Sequence, residues 1–154
     1  MTDFSEQTVE RRRILLVDDD NSVRDSIYML LESDGYEVFA ARNGSVGLTV
    51  FHRSLRPIDL LVTDCNMPGM TGMELAHACA RRNRDVAVLY MSGSVPDEEL
   101  QADLETRKCA FLSKPFRGDD LLHKAKELLA PGCGRAALHP PLKLQLAVQL
   151  TRCT

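Results

Sequence analysis

Five short apolar runs punctuate this chain, and between them lie segments whose apolar residues recur every three or four positions. The runs are Ile14–Val17, Tyr36–Ala41, Ile58–Thr63, Val86–Met91 and Cys109–Ser113. Unbroken apolarity over such a length suits a strand buried on both faces, which is the condition of a parallel sheet covered by helices on both sides. The intervening segments supply those helices. Val23, Ile27, Leu30 and Leu31 share one helical face before Gly35, with Asp20 or Asn21 as its cap, and Val46, Leu48, Val50 and Phe51 follow an Asn43-Gly44 turn. A third helix is predicted from about Thr71 to Arg82 and a fourth from Pro96 to about Arg107. Leu121, Leu122, Ala125, Leu128 and Leu129 mark a fifth, which Pro131-Gly132 ends. Strict alternation with right-handed crossovers predicts an α/β fold, a three-layer open sheet of five parallel strands. A chain of 154 residues has room for one such domain plus short ends.

In an open α/β sheet, ligands bind in the crevice beyond the carboxyl ends of the strands. The residues at those ends are Asp18 and Asp19 after the first run, Asp64 after the third, Ser92 after the fourth and Lys114 after the fifth. Three carboxylates gathered in one pocket repel one another and lose hydration, so they call for a counter-charge. Mg2+ suits them, because it takes oxygen ligands and keeps several waters, and none of these strand-end residues is a His or Cys to favour zinc. An ammonium and a hydroxyl beside the cation would stabilise the equatorial oxygens of a phosphoryl group in transfer, which is most of what such a reaction needs. Asp64, on the central strand with neighbours on both sides, is the best-placed nucleophile, with Lys114 and Ser92 as the protein donors.

The segments ILLVDD (Ile14 to Asp19), LLVTDCNMPGMTG (Leu60 to Gly72), VLYMSG (Val88 to Gly93) and FLSKPF (Phe111 to Phe116) resemble the receiver domain of two-component response regulators, in the same order and spacing. The likeness runs from Arg13 to about Ala130, which places a receiver domain at residues 12–130. It implies a chemotaxis-regulator-like, flavodoxin-like fold with strand order 2-1-3-4-5. It also implies self-catalysed transfer from the phosphohistidine of a sensor histidine kinase, or from a phosphotransfer protein, to Asp64. By the same resemblance Asp19 and Asp64 ligate Mg2+ directly, Asn66 adds its backbone carbonyl and Asp18 acts through water. Ser92 and Phe111 take the positions of the switch pair, where the family more often has Thr and Tyr. The fourth helix, fifth strand and fifth helix, roughly residues 96–129, form the face that changes and controls a downstream protein. Gly93 beside Ser92 leaves the phosphoryl site open, so a short-lived phosphoryl group is expected.

That reading makes the chain a phosphorylation-dependent signalling switch rather than an enzyme. An aspartyl-phosphate phosphohydrolase would carry a DxDGT-like motif, whereas Asp64 is followed by Cys65-Asn66-Met67. A phosphorylation-independent binding domain of the same fold would not need the complete acidic set. A net charge of −3 offers no footprint for nucleic acid, and Arg11, Arg12 and Arg13 read as a solvated run at a strand entrance. No stretch approaches the roughly 18 apolar residues of a membrane span. The five scattered cysteines lack metal-ligand spacing and fit reduced thiols in a cytoplasmic protein. Cys65, beside the acceptor, reads as structural with a raised pKa. His52, His77, His123 and His139 fall on helices or in the tail and are expected at the surface.

The stretch 131–154 stands outside the five units. Leu142, Leu144, Leu146, Val148 and Leu150 alternate with other residues at the period of an edge strand, while Gly-Cys-Gly and Pro-Pro isolate the segment as a disordered extension would be. Both readings stand, and a homodimer through this tail or through the fourth-helix, fifth-strand and fifth-helix face stays open with them.

Overall fold

The computed structural model describes residues 10–131. The elements follow in order β1 (Arg13–Val17), α1 (Asn21–Ser33), β2 (Glu37–Ala41), α2 (Gly44–Arg53), β3 (Leu60–Asp64), α3 (Gly72–Arg82), β4 (Ala87–Ser92), α4 (Glu98–Thr106), β5 (Cys109–Ser113) and α5 (Gly118–Leu129). All four strand pairings are parallel, in the order β2-β1-β3-β4-β5. The expected fold class and strand order are therefore those observed. The alternating Leu and Val residues of 142–150 lie outside the described residues.

Strand periodicity divides the core into two layers. Ile14, Leu16, Leu60, Val62, Leu89 and Met91 pack on one side of the sheet with Ile27 and Leu31 of α1 and Leu121, Ala125 and Leu128 of α5. Leu15, Val17, Leu61, Val88 and Tyr90 point to the other side, against Phe51 of α2, Leu75 and Cys79 of α3 and Leu100 of α4. Each fully buried Leu contributes about 1.5–3 kcal/mol relative to an exposed one, so the two layers carry most of the stabilisation.

Polar caps set where the helices begin. The Asp20 carboxylate accepts from the Ser22 and Val23 amides, Asn43 from Val46, and Thr71 and Glu74 close a reciprocal capping box on α3. Several boundaries differ from the sequence reading by one or two residues; β3, for instance, starts at Leu60 rather than Ile58. The fourth helix starts at Glu98 rather than Pro96, because Asp97 is its cap and accepts from the Leu100 amide. The second strand starts at Glu37 rather than Tyr36, because the Tyr36 amide bonds back to the Leu31 carbonyl through a turn in which Gly35 has φ +94°.

Candidate functional site

Parallel strands all end on the same edge of the sheet, so β1, β3, β4 and β5 deliver their terminal residues to one place. Asp18 and Asp19 follow β1, and Asp64 ends β3. Oxygens of these three carboxylates lie within 4.8 Å of one another. Asp18 is wholly buried, Asp64 nearly so, and Asp19 is exposed. A buried carboxylate needs donors, and Asp18 has them: its Oδ1 accepts from the Asp20 amide at 2.9 Å and its Oδ2 lies 3.2 Å from the Lys114 ammonium.

Lys114 reaches this position from the end of β5, where its amide donates to the Ser92 carbonyl at 2.8 Å and its peptide bond to Pro115 is cis. Its Nζ also stands 3.7 Å from Asp64 Oδ1. Alone, a lysine before a proline reads as a solvated surface residue; here its head is turned inward between two carboxylates. Burial pushes the Asp64 carboxyl above its ordinary range, and the Lys114 ammonium draws it back. The charge of Asp18 adds to the rise, the Asn66 amide opposes it, and Asp19 adds a smaller rise. A carboxylate in this state gains from any cation that joins it.

Three contacts at the site are not legible in the sequence. The Asn66 side chain donates to the buried Ser92 hydroxyl at 3.2 Å, and the same hydroxyl accepts from the Ser94 amide at 3.1 Å. Gly72 passes so close to the acceptor strand that a Cβ there would sit 2.1 Å from the Asp64 carbonyl oxygen. His77 departs from the surface position expected of it. It is two-thirds buried, and its Nε2 lies 2.8 Å from Asp103 of α4. The other described histidines, His52 and His123, are exposed.

Phe111 is partly buried on β5 beside its register partner Tyr90, in the layer that α4 covers. Cys65, Cys79 and Cys109 form no disulfide. Burial pushes the Cys65 thiol up to about 12, and the nearby Asp64 and Asp97 add to that, which leaves it a poor nucleophile. A groove of about 350 Å³ between α3 and α4 opens beside the site, with Asn66, Ser92 and His77 among its walls.

The donor set fits a hard divalent cation: three carboxylates with converging oxygens, one of them exposed, and no thiolate or imidazole among them. The family model of the response regulator receiver domain matches residues 14–126. The chain belongs to this family. Its receiver domain is 32% identical over 123 residues to the response regulator receiver protein CpdR of Brucella abortus, covering 77% of this chain and 97% of that protein. The chemotaxis protein CheY4 of Vibrio cholerae superimposes with a TM-score of 0.70 at 28% identity, over 78% of this chain and all of that one. The response regulator TrrA of Thermotoga maritima, solved in complex with Mg2+-BeF, matches with a TM-score of 0.65 at 30% identity over 77% of this receiver chain and 99% of its own. The chain spans about half the length of other curated relatives, among them the response regulator MprA of Mycobacterium leprae. Receiver domains of this family serve phosphorylation-based signalling with histidine kinases, and the signalling role expected from the motifs is the role of the family.

Proposed function

We propose that this receiver domain accepts a phosphoryl group on Asp64, with Mg2+ as cofactor, and relays that event through the face formed by α4, β5 and α5. The observation that carries the reading is the convergence of Asp18, Asp19 and Asp64 with the Lys114 ammonium between two of them. Asp19, Asp64 and the Asn66 carbonyl would hold the cation, with Asp18 behind them through water. Bound there, Mg2+ would supply positive charge against the transferring phosphoryl oxygens.

The remaining work falls to side chains of this chain. The Asp64 carboxylate attacks phosphorus in line, its O–P bond forming as the P–N bond to the donor's histidine breaks and the imidazole leaves, and the Lys114 ammonium, 3.7 Å from Asp64 Oδ1, turns to a phosphoryl oxygen. Because Lys114 is also held by Asp18, it arrives positioned rather than searching for its partner. The Ser92 hydroxyl, now bonded to Asn66 and to the Ser94 amide, turns to another phosphoryl oxygen, and Phe111 follows inward as the switch. A Cβ at Gly93 would meet nothing within 4 Å, so water reaches the site and the phosphoryl group is short-lived.

The donor is a sensor histidine kinase or a phosphotransfer protein in the cytoplasm, and the receptor of the signal is a downstream protein or a second copy of the chain. The domain is a switch and not a turnover enzyme; its only chemistry is its own phosphorylation and dephosphorylation. Whether the output lies in a longer protein, as in its double-length relatives, or in a partner, the receiver does the same work. Incubation with acetyl phosphate tests the reading by intact mass. A gain of one phosphoryl group is expected with Mg2+ and none with EDTA, and uptake that ignores the metal would contradict it.

A further inference from the structure

Helix α4 turns only a weakly apolar face to the sheet. Its buried side chains are Leu100 and Asp103, so one of the two is a carboxylate. By comparison α5 buries Leu121, Ala125, Leu128 and Leu129. What holds α4 in place is therefore in large part polar, and it converges on Asp103. The Asp103 Oδ2 accepts from the Tyr90 hydroxyl at 2.9 Å and lies 2.8 Å from His77 Nε2, while Oδ1 lies 3.3 Å from the Arg107 guanidinium. Its backbone carbonyl accepts from the Cys109 thiol at 3.1 Å. One residue thus ties α4 to α3, β4 and β5. Tyr90 is completely buried, and burial together with the Asp103 charge drives its pKa far upward, so its hydroxyl stays a donor.

The placement matters for signalling. Tyr90 lies two residues before Ser92, on the same face of β4, and its register partner on β5 is Phe111. The hydroxyl that anchors α4 therefore belongs to the neighbour of both switch positions. Movement of Phe111 or Ser92 beneath α4 has to be accommodated by this helix, and the cheapest contacts to exchange are polar ones that can be re-formed or solvated.

We propose that Asp103, gripped by Tyr90 and His77, is the clamp that holds α4 in its resting place, and that its hold sets how readily phosphorylation at Asp64 rearranges this face. The second half rests on the function proposed above; the first does not. Asp103 is a positioning residue, acting on the switch through α4 and touching no phosphoryl oxygen. Opening α4 costs its carboxylate two donors at once, which makes the clamp cooperative.

Hydrogen exchange on the full unphosphorylated chain tests the clamp, using Tyr90→Phe, which keeps the ring, and His77→Ala as separate variants. Amides of 98–107 are expected to exchange roughly five- to thirtyfold faster in each variant, with those of α1 and α5 unchanged. Unchanged exchange in 98–107, or equal acceleration throughout the chain, would overturn the clamp. Labelling by acetyl phosphate with Mg2+ then tests the coupling, and Tyr90→Phe is expected to be labelled about two- to tenfold faster than the parent. Loosened α4 amides with an unaltered labelling rate would overturn the coupling. A parent chain that takes no label would instead refute the proposed function, and the exchange result would still decide the clamp.

Discussion

The buried Asp18 carboxylate lies 3.2 Å from the Lys114 ammonium, although 96 residues separate them along the chain. The pair joins the ends of β1 and β5, strands that never touch, and it does so at the one edge of the sheet where all strands terminate. Charge, fold and proposed chemistry meet in this contact.

Removing the lysine leaves Asp18 buried with no cation. Loss of one partner of a wholly buried pair costs roughly 3–5 kcal/mol, but the Lys114 side chain is 25% exposed, so Lys114→Met is expected to cost about 1–3 kcal/mol. Urea unfolding measures this. Adding Asp18→Asn should recover part of the loss, and a double variant no more stable than Lys114→Met would show that the two charges do not act as a pair.

Asp64 carries a stability cost of opposite origin. Its folded-state pKa is raised, first by burial, above an ordinary value near 3.8. The contribution of this group to stability is thus complete below that value and is lost as pH rises through the raised one. At neutral pH its charge destabilises the fold, so Asp64→Asn should raise Tm by about 2–5 °C without Mg2+. The gain should shrink to nothing toward about pH 2.5, where the carboxyl is protonated in both states. Thermal unfolding of both proteins across that range, in EDTA, measures the difference.

Gly72 holds the acceptor loop against the start of α3, its amide donating to the Cys65 carbonyl at 3.1 Å. Since a Cβ would collide with the Asp64 backbone, Gly72→Ala must displace either the helix or the acceptor. A loss of about 2–3 kcal/mol in urea unfolding is expected, together with slower phosphoryl uptake. Glycine-like stability in the alanine variant would mean that the loop yields without cost.

Much of this was legible beforehand for a simple reason. A run such as Ile14–Val17 can be apolar throughout only if both its faces are covered, and the residue after it must then fall at the sheet's edge. Asp18, Asp64, Ser92 and Lys114 were located by that rule alone, whereas the ligand and switch roles of Asn66 and Phe111 came from family resemblance. What escaped were residues whose partners come from another element. Asp103 sits in an acidic helix and reads as one more solvated charge; Tyr90 is hidden in an apolar strand; His77 looks like a surface histidine. Their association depends on how α3 and α4 pack over β4, which no local pattern encodes. The Asn66 side chain on Ser92 was missed for the same reason, as two strand ends had to be brought together first.

The most direct measurement is to locate the phosphoryl group. After incubation with Mg2+ and acetyl phosphate, borohydride reduction converts an aspartyl phosphate to homoserine, and tandem mass spectrometry reads its position. Homoserine at residue 64 alone, with no conversion in Asp64→Asn, is the expected result. Conversion at Asp18 or Asp19 instead, or undiminished labelling of Asp64→Asn, would contradict the assignment of Asp64 as acceptor.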